Sequence, residues 1–487
     1  MPKTTFVNNS YSHYETIIGI EVHVQLTTKS KIFCLCNNEI SKKPNSNICE
    51  ICAGYPGSLP TLNKKVVDYA ILAGLATNCS IAKRSSFARK HYFYPDLPKG
   101  YQITQHTDPI CIEGYIPIRL ENGNIKKIRL IRIHMEEDAG KSIHIPESNE
   151  SFVDLNRTGT PLLEIVSYPD ISNSYEAKAY LKTLRSIVQY LNIGTGNMEE
   201  GAFRADTNVS IRKKGTTKLG IRCELKNINS FKFIGDAIEY EINRQVTLLE
   251  HGEDIVQETR LWNAKNKKTF SMRTKEEAAD YRYFQEPDLP LLEITNEWID
   301  RIKQHLPELP HEKFERLCTQ QGLSPYEAEI LVDDIILANY FEEAHQYSKS
   351  KQIINWILRD VLGYLKEHGI PLSEFKVTPK KLSEIIELIE TGIINVHAAK
   401  ELFTIVAQTG QAPADIVKEK GFEQIVSIEK LEPIVKEVIA SYPNEKKAYL
   451  AGKEKLFSFF VGQIMKKTKG KASPQVIQEL LKKELKK

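Results

Sequence analysis

Apolar and polar residues alternate along several stretches in the first 300 residues of the chain. Residues 14–26 carry isoleucine or valine at positions 18, 20, 22 and 24, whereas Glu21 and His23 fall between them. Residues 207–212 and 221–226 alternate in the same way. A period of two is typical of a strand with one buried face. The pattern therefore predicts a sheet whose other face carries charged and polar side chains.

Helical periodicity interrupts these strands and then replaces them. Apolar residues at helical spacing predict helices at residues 63–78, 174–191 and 231–249. Beyond Trp298 strand signals are few, and prolines punctuate short helical stretches. We predict an α+β fold in three parts. These are a mixed or antiparallel sheet domain at 1–295, an all-α domain at 296–410 and a small helical tail domain at 411–487.

Length and charge agree with several domains. A chain of 487 residues is too long for a single hydrophobic core. Residues 441–487 contain 12 lysines and 4 glutamates, a net charge of +8, which leaves −5 for residues 1–440. The basic end predicts contact with a polyanion through Lys466, Lys467, Lys469 and Lys471, although such lysines also simply keep a terminus soluble.

Targeting signals are absent from the sequence pattern. The first 15 residues are polar and lack the apolar segment of a signal peptide. No apolar run approaches the length of a membrane span. Four of the eight cysteines are scattered along the chain, which suits a reducing compartment. We therefore expect a cytoplasmic protein without a membrane partner.

The other four cysteines cluster near the N-terminus. Cys34 and Cys36 form a CxC pair, and Cys49 and Cys52 form a CxxC pair after a short loop. Four thiolates on two tight turns suit tetrahedral Zn²⁺, and a closed site of this kind is structural. Reduced thiols without a metal are the alternative.

Acids, amides and cations are dense around the predicted strands at 207–226. The candidate residues in this part of the chain are Glu199, Glu200, Arg204, Glu224, Lys226, Asn227, Asn229 and Ser230. Glu224 and Lys226 fall on one face of their strand. Carboxylates bind Mg²⁺ and a lysine offsets phosphate charge, so the segment is suited to phosphoryl transfer. The alternative is a solvated face of the sheet.

Two further segments carry candidate chemistry. Glu136 and Glu137 are adjacent near the end of a predicted strand, and Glu199 and Glu200 are also adjacent, so in extended backbone only one residue of each pair faces a given site. The loop at 87–105 is rich in aromatic and basic residues, among them Arg89, Tyr92, Tyr94 and Tyr101. Such a loop stacks on a nucleobase or fills the core with its rings.

Long ordered motifs support a family assignment. The motifs are GIEVHVQL and SKIFC at 19–34, YPGSLPTLN at 55–63, RKHYFYPDLPKGYQITQ at 89–105, HMEEDAGKS at 134–142, NRTGTPLLEIVS at 156–167, NMEEG at 197–201, ELKNINSF at 224–231, DYRYFQEPDLP at 280–290 and AGKEKLFSFFVGQIMKKTKGKASP at 451–474. Nearly end to end, the chain resembles the B subunit of the bacterial tRNA-dependent amidotransferases.

The resemblance implies an activity, partners and a fold. It implies an ATP- and Mg²⁺-dependent ligase that phosphorylates the side-chain carboxylate of Glu-tRNA(Gln) or Asp-tRNA(Asn). Ammonia from a partner amidase subunit, the A subunit, then gives the amide, and a small C subunit completes a heterotrimer. The implied fold is a cradle-like catalytic domain, a helical domain and a tail that binds tRNA.

The resemblance also implies roles for individual residues. Metal and catalytic roles are implied for Glu21, His23, Glu136, Glu137, Glu224 and Lys226. ATP or acyl-group binding is implied for Glu199, Glu200, Arg204, Glu224, Asn227, Asn229 and Ser230. Contact with the tRNA acceptor end is implied for Arg89, Tyr92, Tyr94 and Tyr101, and structural zinc for the four clustered cysteines. The competing hypothesis is a zinc-containing tRNA-binding subunit without chemistry of its own.

Overall fold

The computed structural model describes residues 13–39, 41–145, 150–274, 280–425, 427–468 and 470–486. The chain divides into two compact units, Met1–Asp333 and Asp334–Lys487. The first unit combines sheet and helices, and the second is helical in its described part. An α+β fold class is thereby confirmed, whereas the boundaries predicted after residues 295 and 410 stay predictions.

Strands in the first unit run from Tyr14 to Glu293. They are β1 Tyr14–Gln25, β2 Ser80–Ile81, β3 Arg84–Ser85, β4 Ala88–His91, β5 Tyr101–Thr104, β6 Cys111–Ile112, β7 Tyr115–Arg119, β8 Ile125–Glu137, β9 Lys141–His144, β10 Ser151–Asp154, β11 Pro161–Ser167, β12 Phe203–Lys213, β13 Cys223–Lys226, β14 Glu258–Asn263, β15 Lys268–Thr274, β16 Phe284–Gln285 and β17 Leu292–Glu293.

One 13-stranded sheet dominates the first unit. Its main path is β15-β14-β13-β12-β1-β11-β8-β5-β4-β16, with β2, β6 and β7 attached beside β8. The pairs β13–β12, β12–β1, β1–β11 and β11–β8 are all antiparallel. In an antiparallel ladder, residues opposite each other point to the same face. Side chains from five strands therefore meet on one face of the sheet.

Six helices accompany the sheet in the described part of the first unit. They are α1 Lys64–Ala76, α2 Ser174–Tyr190, α3 Phe231–Glu250, α4 Asn296–Lys303, α5 Pro310–Gln320 and α6 Pro325–Val332. The side chains of Asn63, Asn173 and Ser230 cap the first three. The apolar residues of β1, with Ile18 and Val22 fully buried, share one core with α1, α2 and α3. The opposite face of β1 is left for polar groups.

The second unit contains ten α-helices in its described residues. They are α7 Ile335–Tyr347, α8 Gln352–Trp356, α9 Leu362–His368, α10 Pro379–Glu390, α11 Val396–Thr409, α12 Pro413–Lys420, α13 Ile428–Ser441, α14 Pro443–Leu450, α15 Leu456–Lys467 and α16 Pro474–Glu484, with a π-helix at Ile357–Val361 and a 3₁₀-helix at Leu372–Glu374. Helices α13, α15 and α16 share a core around Leu431, Phe460 and Leu481. No described helix in either unit is long and apolar enough to cross a bilayer.

Candidate functional site

An acid–histidine cluster lies on the polar face of the central sheet. It consists of His23 on β1, Glu164 on β11, and His134 and Glu136 on β8. His23 lies opposite Glu164, and Glu164 lies opposite His134, in the ladders of these strands. His23 Nε2 is 3.3 Å from Glu164 Oε2 and 3.5 Å from Glu136 Oε1. Strand register therefore brings together residues that are more than 100 positions apart in the chain.

The charges of this cluster stabilise one another. Burial lowers the pKa of His134, but Glu164 and Glu136 outweigh burial and raise it to about 9. Burial raises the pKa of Glu164, whereas His134 and His23 hold it well below its usual range. Buried carboxylates of this kind are kept ionised by neighbouring positive charge. Carboxylates bind a cation in this ionised form, whereas His23 would bind one as the neutral imidazole, so cation binding would release the proton of His23.

The cluster has the donor set of a divalent cation site. Ligand atoms of His23, Glu136 and Glu164 all lie within 4.8 Å of one another. Mg²⁺ takes oxygen ligands and binds proteins through one or two carboxylates. Two carboxylates beside an imidazole therefore fit Mg²⁺, with the carboxylate oxygens as its main protein ligands.

A second charged group continues along the same face. Glu21 lies opposite Asp206, and Glu224 on β13 lies opposite Asn208 on β12. Lys226 Nζ donates to Asp206 Oδ2 at 2.6 Å and is 3.2 Å from Glu224 Oε1.

The neighbouring charges shift the pKa values of Lys226 and Glu21. Burial lowers the pKa of Lys226, but the two carboxylates raise it to about 12. Burial, followed by the charges of Glu164, Glu224 and Asp206, raises the pKa of Glu21. Lys226 therefore offsets part of the negative charge of three acidic side chains on this part of the face.

A cavity of about 860 Å³ borders this face. Five of the residues predicted to bind ATP or substrate line it, namely Glu199, Glu200, Arg204, Asn227 and Asn229. Glu199 and Glu200 lie in the turn before β12, where their backbone N–H groups contact Asn197 Oδ1. Because this backbone is not extended, the rule that adjacent residues face opposite ways does not apply to them. Both residues reach the same cavity.

Two predicted site residues are engaged elsewhere. Glu137 accepts a hydrogen bond from Ile103 N at 2.8 Å and is paired with Lys99, so it does not join the cluster that contains Glu136. Ser230 accepts a hydrogen bond from Phe233 N at 3.2 Å and caps α3. These contacts support a structural role for both residues, and their predicted roles at the site stay predictions.

In the aromatic and basic loop, some residues contact other side chains of the protein and others are exposed. Arg89 donates to both carboxylate oxygens of Glu286 at 2.8 Å, and its guanidinium lies 4.3 Å from the ring of Tyr101. Tyr92 donates to Gln102 Oε1 at 3.4 Å. Tyr94 is 60% exposed. Of the four residues predicted to contact the acceptor end, Tyr94 therefore presents the most open surface.

Four cysteine sulfurs form a compact group near the N-terminus. The Sγ atoms of Cys34, Cys36, Cys49 and Cys52 lie within 4.8 Å of one another. Cys52 Sγ is 3.9 Å from Cys49 Sγ and 4.0 Å from Cys36 Sγ. A tetrahedral site with Zn–S bonds of about 2.3 Å has sulfur–sulfur edges of roughly 3.8 Å. The geometry therefore fits zinc without a free coordination position.

The lysines predicted to contact tRNA differ in their surroundings. Lys466 and Lys467 end α15, and Lys467 forms an ion pair with Glu437 of α13. Lys471 follows shortly after in the chain. Lys469 lies outside the described residues. All three described lysines belong to the segment that shares the core of α13, α15 and α16.

Sequence reasoning missed Glu164 as a member of the cluster. Glu164 stands within β11, in the otherwise apolar segment PLLEIVS, all of whose residues are buried. A carboxylate in a buried strand is costly unless it is paired, so the residue type at this position was the available signal. Lys90 belongs to the aromatic and basic loop that the sequence indicates, but the sequence does not link it to this cluster. Burial lowers the pKa of Lys90, whereas the charges of Glu136 and other acidic or phenolic groups outweigh burial and raise it.

Comparisons with known proteins identify the family of this chain. The family described as GatB/GatE catalytic domain matches residues 16–300, and a GatB domain matches residues 339–485. B subunits of aspartyl/glutamyl-tRNA(Asn/Gln) amidotransferase are similar over 97% of this chain. The one from Thermodesulfovibrio yellowstonii is 52% identical over 99% of its length, and the one from Persephonella marina is 50% identical over 100%. The chain therefore belongs to the family of aspartyl/glutamyl-tRNA(Asn/Gln) amidotransferase B subunits.

Proposed function

We propose that this chain carries the ATP-dependent step of a tRNA-dependent amidotransferase, a carbon–nitrogen ligase. Its substrate is the side-chain carboxylate of Glu-tRNA(Gln), Asp-tRNA(Asn) or both. The observation that supports this proposal best is the acid–histidine cluster, which lies on one sheet face with Lys226 and beside the 860 Å³ cavity. Family membership favours it over a tRNA-binding subunit without chemistry.

The reaction needs activation because a free carboxylate is a poor acyl donor. Transfer of the γ-phosphoryl group of ATP to a carboxylate oxygen gives an acyl phosphate and ADP. Ammonia then attacks the acyl carbon, the C–O bond to phosphate breaks, and the amide and inorganic phosphate leave. Catalysis of the first step depends mainly on positioning and on neutralising charge on the phosphoryl oxygens.

The described residues have separate roles in the proposed reaction. Glu136, Glu164 and His23 would hold Mg²⁺, with Glu21 and Glu224 beside them on the same face. Mg²⁺ supplies charge neutralisation on phosphate oxygens when it is bound. Lys226 presents a positive charge fixed by Asp206 and Glu224. Arg204, Asn227 and Asn229 line the cavity and supply hydrogen-bond donors for nucleotide or acyl group.

The proposal includes partners and a location. Ammonia comes from an amidase subunit, and a small third subunit completes the heterotrimer, as the family resemblance implies. The cysteine group binds structural Zn²⁺. None of the described cysteines forms a disulfide, which supports a cytoplasmic location. The lysines of the C-terminal segment, with Tyr94, are the proposed tRNA contacts.

The test replaces the two cluster carboxylates in the assembled complex. We expect Glu136→Gln and Glu164→Gln to reduce ATP hydrolysis stimulated by Glu-tRNA(Gln) on the order of 100-fold or more, because each removes a charged metal ligand. Binding of tRNA is expected to stay near wild type. Glu293→Gln is the control, because Glu293 is exposed and pairs with Arg84. Undiminished hydrolysis in both cluster variants would refute the proposal.

A further inference from the structure

Asp138 is a buried carboxylate that holds three side chains of the cavity wall. It follows directly after β8 and is 4% exposed. Its Oδ2 accepts hydrogen bonds from Gln25 Nε2 at 2.9 Å and from Arg204 Nη2 at 3.0 Å. Arg157 Nε is 3.6 Å from the same oxygen. One carboxylate oxygen thus accepts hydrogen bonds from an amide and a guanidinium group and forms an ion pair with a second guanidinium group.

The backbone around Asp138 is fixed on both sides. Its N–H donates to Thr160 O at 2.8 Å, and its carbonyl accepts from Gly159 N at 2.9 Å. Arg157 is further held by Ala139 O at 2.9 Å and by Gly140 O at 2.6 Å. The carboxylate therefore has a defined position from which to orient its partners.

The three partners of Asp138 face the cavity, whereas Asp138 does not line it. Gln25, Arg157 and Arg204 are all in the cavity lining, and the side chains of the two arginines are 38% and 39% exposed. Arg204 Nε has no acceptor among the described residues. Because that Nε atom is buried, the donors open to a ligand are other N–H groups: Arg157 uses its Nε and one Nη2 donor and Arg204 one Nη2 donor, out of five in each guanidinium. The single charge of Asp138 leaves the two arginines with a net positive charge.

Arg204 also lies next to the acid–histidine cluster, because it stands on β12 directly opposite His23 on β1 in the antiparallel ladder. A phosphate group bound by Arg204 would therefore lie near the residues that would hold Mg²⁺. Guanidinium groups bind phosphate oxygens through paired, charge-assisted hydrogen bonds.

We propose that Asp138 is a positioning residue that holds Arg157 and Arg204 as a guanidinium pair for the phosphate oxygens of the nucleotide. The proposal rests on the proposed function, because it assigns the nucleotide end of the same site. Asp138 itself would not contact the nucleotide. Its role would differ from that of Glu136, which is two residues earlier in the chain and belongs to the acid–histidine cluster.

The test compares Asp138→Asn with wild type in the assembled complex. Asparagine has the same shape but removes the charge and presents an N–H₂ group to two donors, so the pair is expected to separate. We expect the KM for ATP to rise about tenfold or more, with a smaller fall in kcat. The KM for Glu-tRNA(Gln) is expected to stay within about twofold of wild type. A residue needed only for folding would not change one KM selectively.

A matched control and a second variant complete the experiment. Asp170→Asn makes the same substitution at an aspartate bound to Arg129 near the other end of β8, and it should leave both KM values unchanged. Arg204→Lys keeps the charge but loses the paired donors, so it should raise the KM for ATP even if Asp138→Asn does not fold.

The possible results distinguish a failure of this inference from a failure of the proposed function. A wild-type complex without tRNA-dependent ATP hydrolysis refutes the proposed function. An active wild type with an unchanged KM for ATP in Asp138→Asn, or in Arg204→Lys, overturns the inference alone. A rise confined to the KM for Glu-tRNA(Gln) also overturns it, because the guanidinium pair then serves the acyl group or the RNA phosphate.

Discussion

Neighbouring residues of the same type have different roles in this protein. Glu136 faces the acid–histidine cluster, whereas Glu137 binds Lys99 and the backbone of β5. Alternation along β8 predicts that the side chains of Glu136 and Glu137 point to opposite faces. Only their contacts in the fold distinguish the one that joins the cluster. Ser230 shows the same limit, because serine suits both a phosphate site and a helix N-cap.

At the residue scale we expect Ser230→Ala to change stability and not catalysis. Loss of the side-chain cap of α3 should cost about 1 kcal/mol of unfolding free energy, measured by denaturant or thermal unfolding. The KM for ATP should not change, because the hydroxyl is engaged with Phe233 N. Ser473→Ala is the control, since Ser473 is the N-cap residue of α16 without a side-chain cap bond. A raised KM for ATP would instead assign Ser230 to the ligand.

Elements of secondary structure follow local pattern closely in the first unit. The predicted helix at 174–191 corresponds to α2 Ser174–Tyr190, and the predicted strand at 14–26 corresponds to β1 Tyr14–Gln25. Strong periodicity and capping residues explain this agreement. The loop of the cysteine group has no such periodicity. Two hydrogen bonds hold this loop: Asn45 N donates to Asp154 Oδ1 at 3.0 Å, and Asn47 N donates to Asn156 Oδ1 at 2.8 Å. The sequence pattern does not predict these contacts.

At the element scale we expect zinc to hold this loop together. Cys36→Ser should remove most of the bound zinc, from about one ion per chain, and should lower the unfolding temperature. Metal analysis of the purified complex and a thermal scan measure the two effects. Cys318→Ser is the control, because Cys318 lies on α5 and outside the cysteine group. Full zinc content in Cys36→Ser would contradict the assignment.

Charge is distributed unevenly over the whole molecule. Residues 441–487 carry a net charge of +8, and several of their lysines lie on or beside α15 and α16. The segment packs around its own apolar core, so these lysines are presented by folded structure. Basic side chains in a fixed arrangement bind a polyanion through phosphate contacts.

At the scale of the whole molecule we expect the double variant Lys466→Gln, Lys471→Gln to weaken tRNA binding. The slope of log K against log salt should fall by about one for each of these lysines that binds a phosphate, as measured by titration at several salt concentrations. Glutaminase activity of the complex should not change. Lys351→Gln, an exposed lysine at the start of α8, is the control. An unchanged salt slope in the double variant would mean that the two lysines only keep the segment soluble.

The sequence by itself determined the strands, the capped helices, the four-cysteine pattern and the family motifs, because all of these are local in the chain. The tertiary structure alone decided which acids meet. His23, His134, Glu136 and Glu164 converge because β1, β8 and β11 are adjacent in one register, and register between distant strands is not written in local periodicity. It likewise decided that Arg89 is bound to Glu286 and that Asp138 holds two arginines, because a side chain's partner depends on the fold around it.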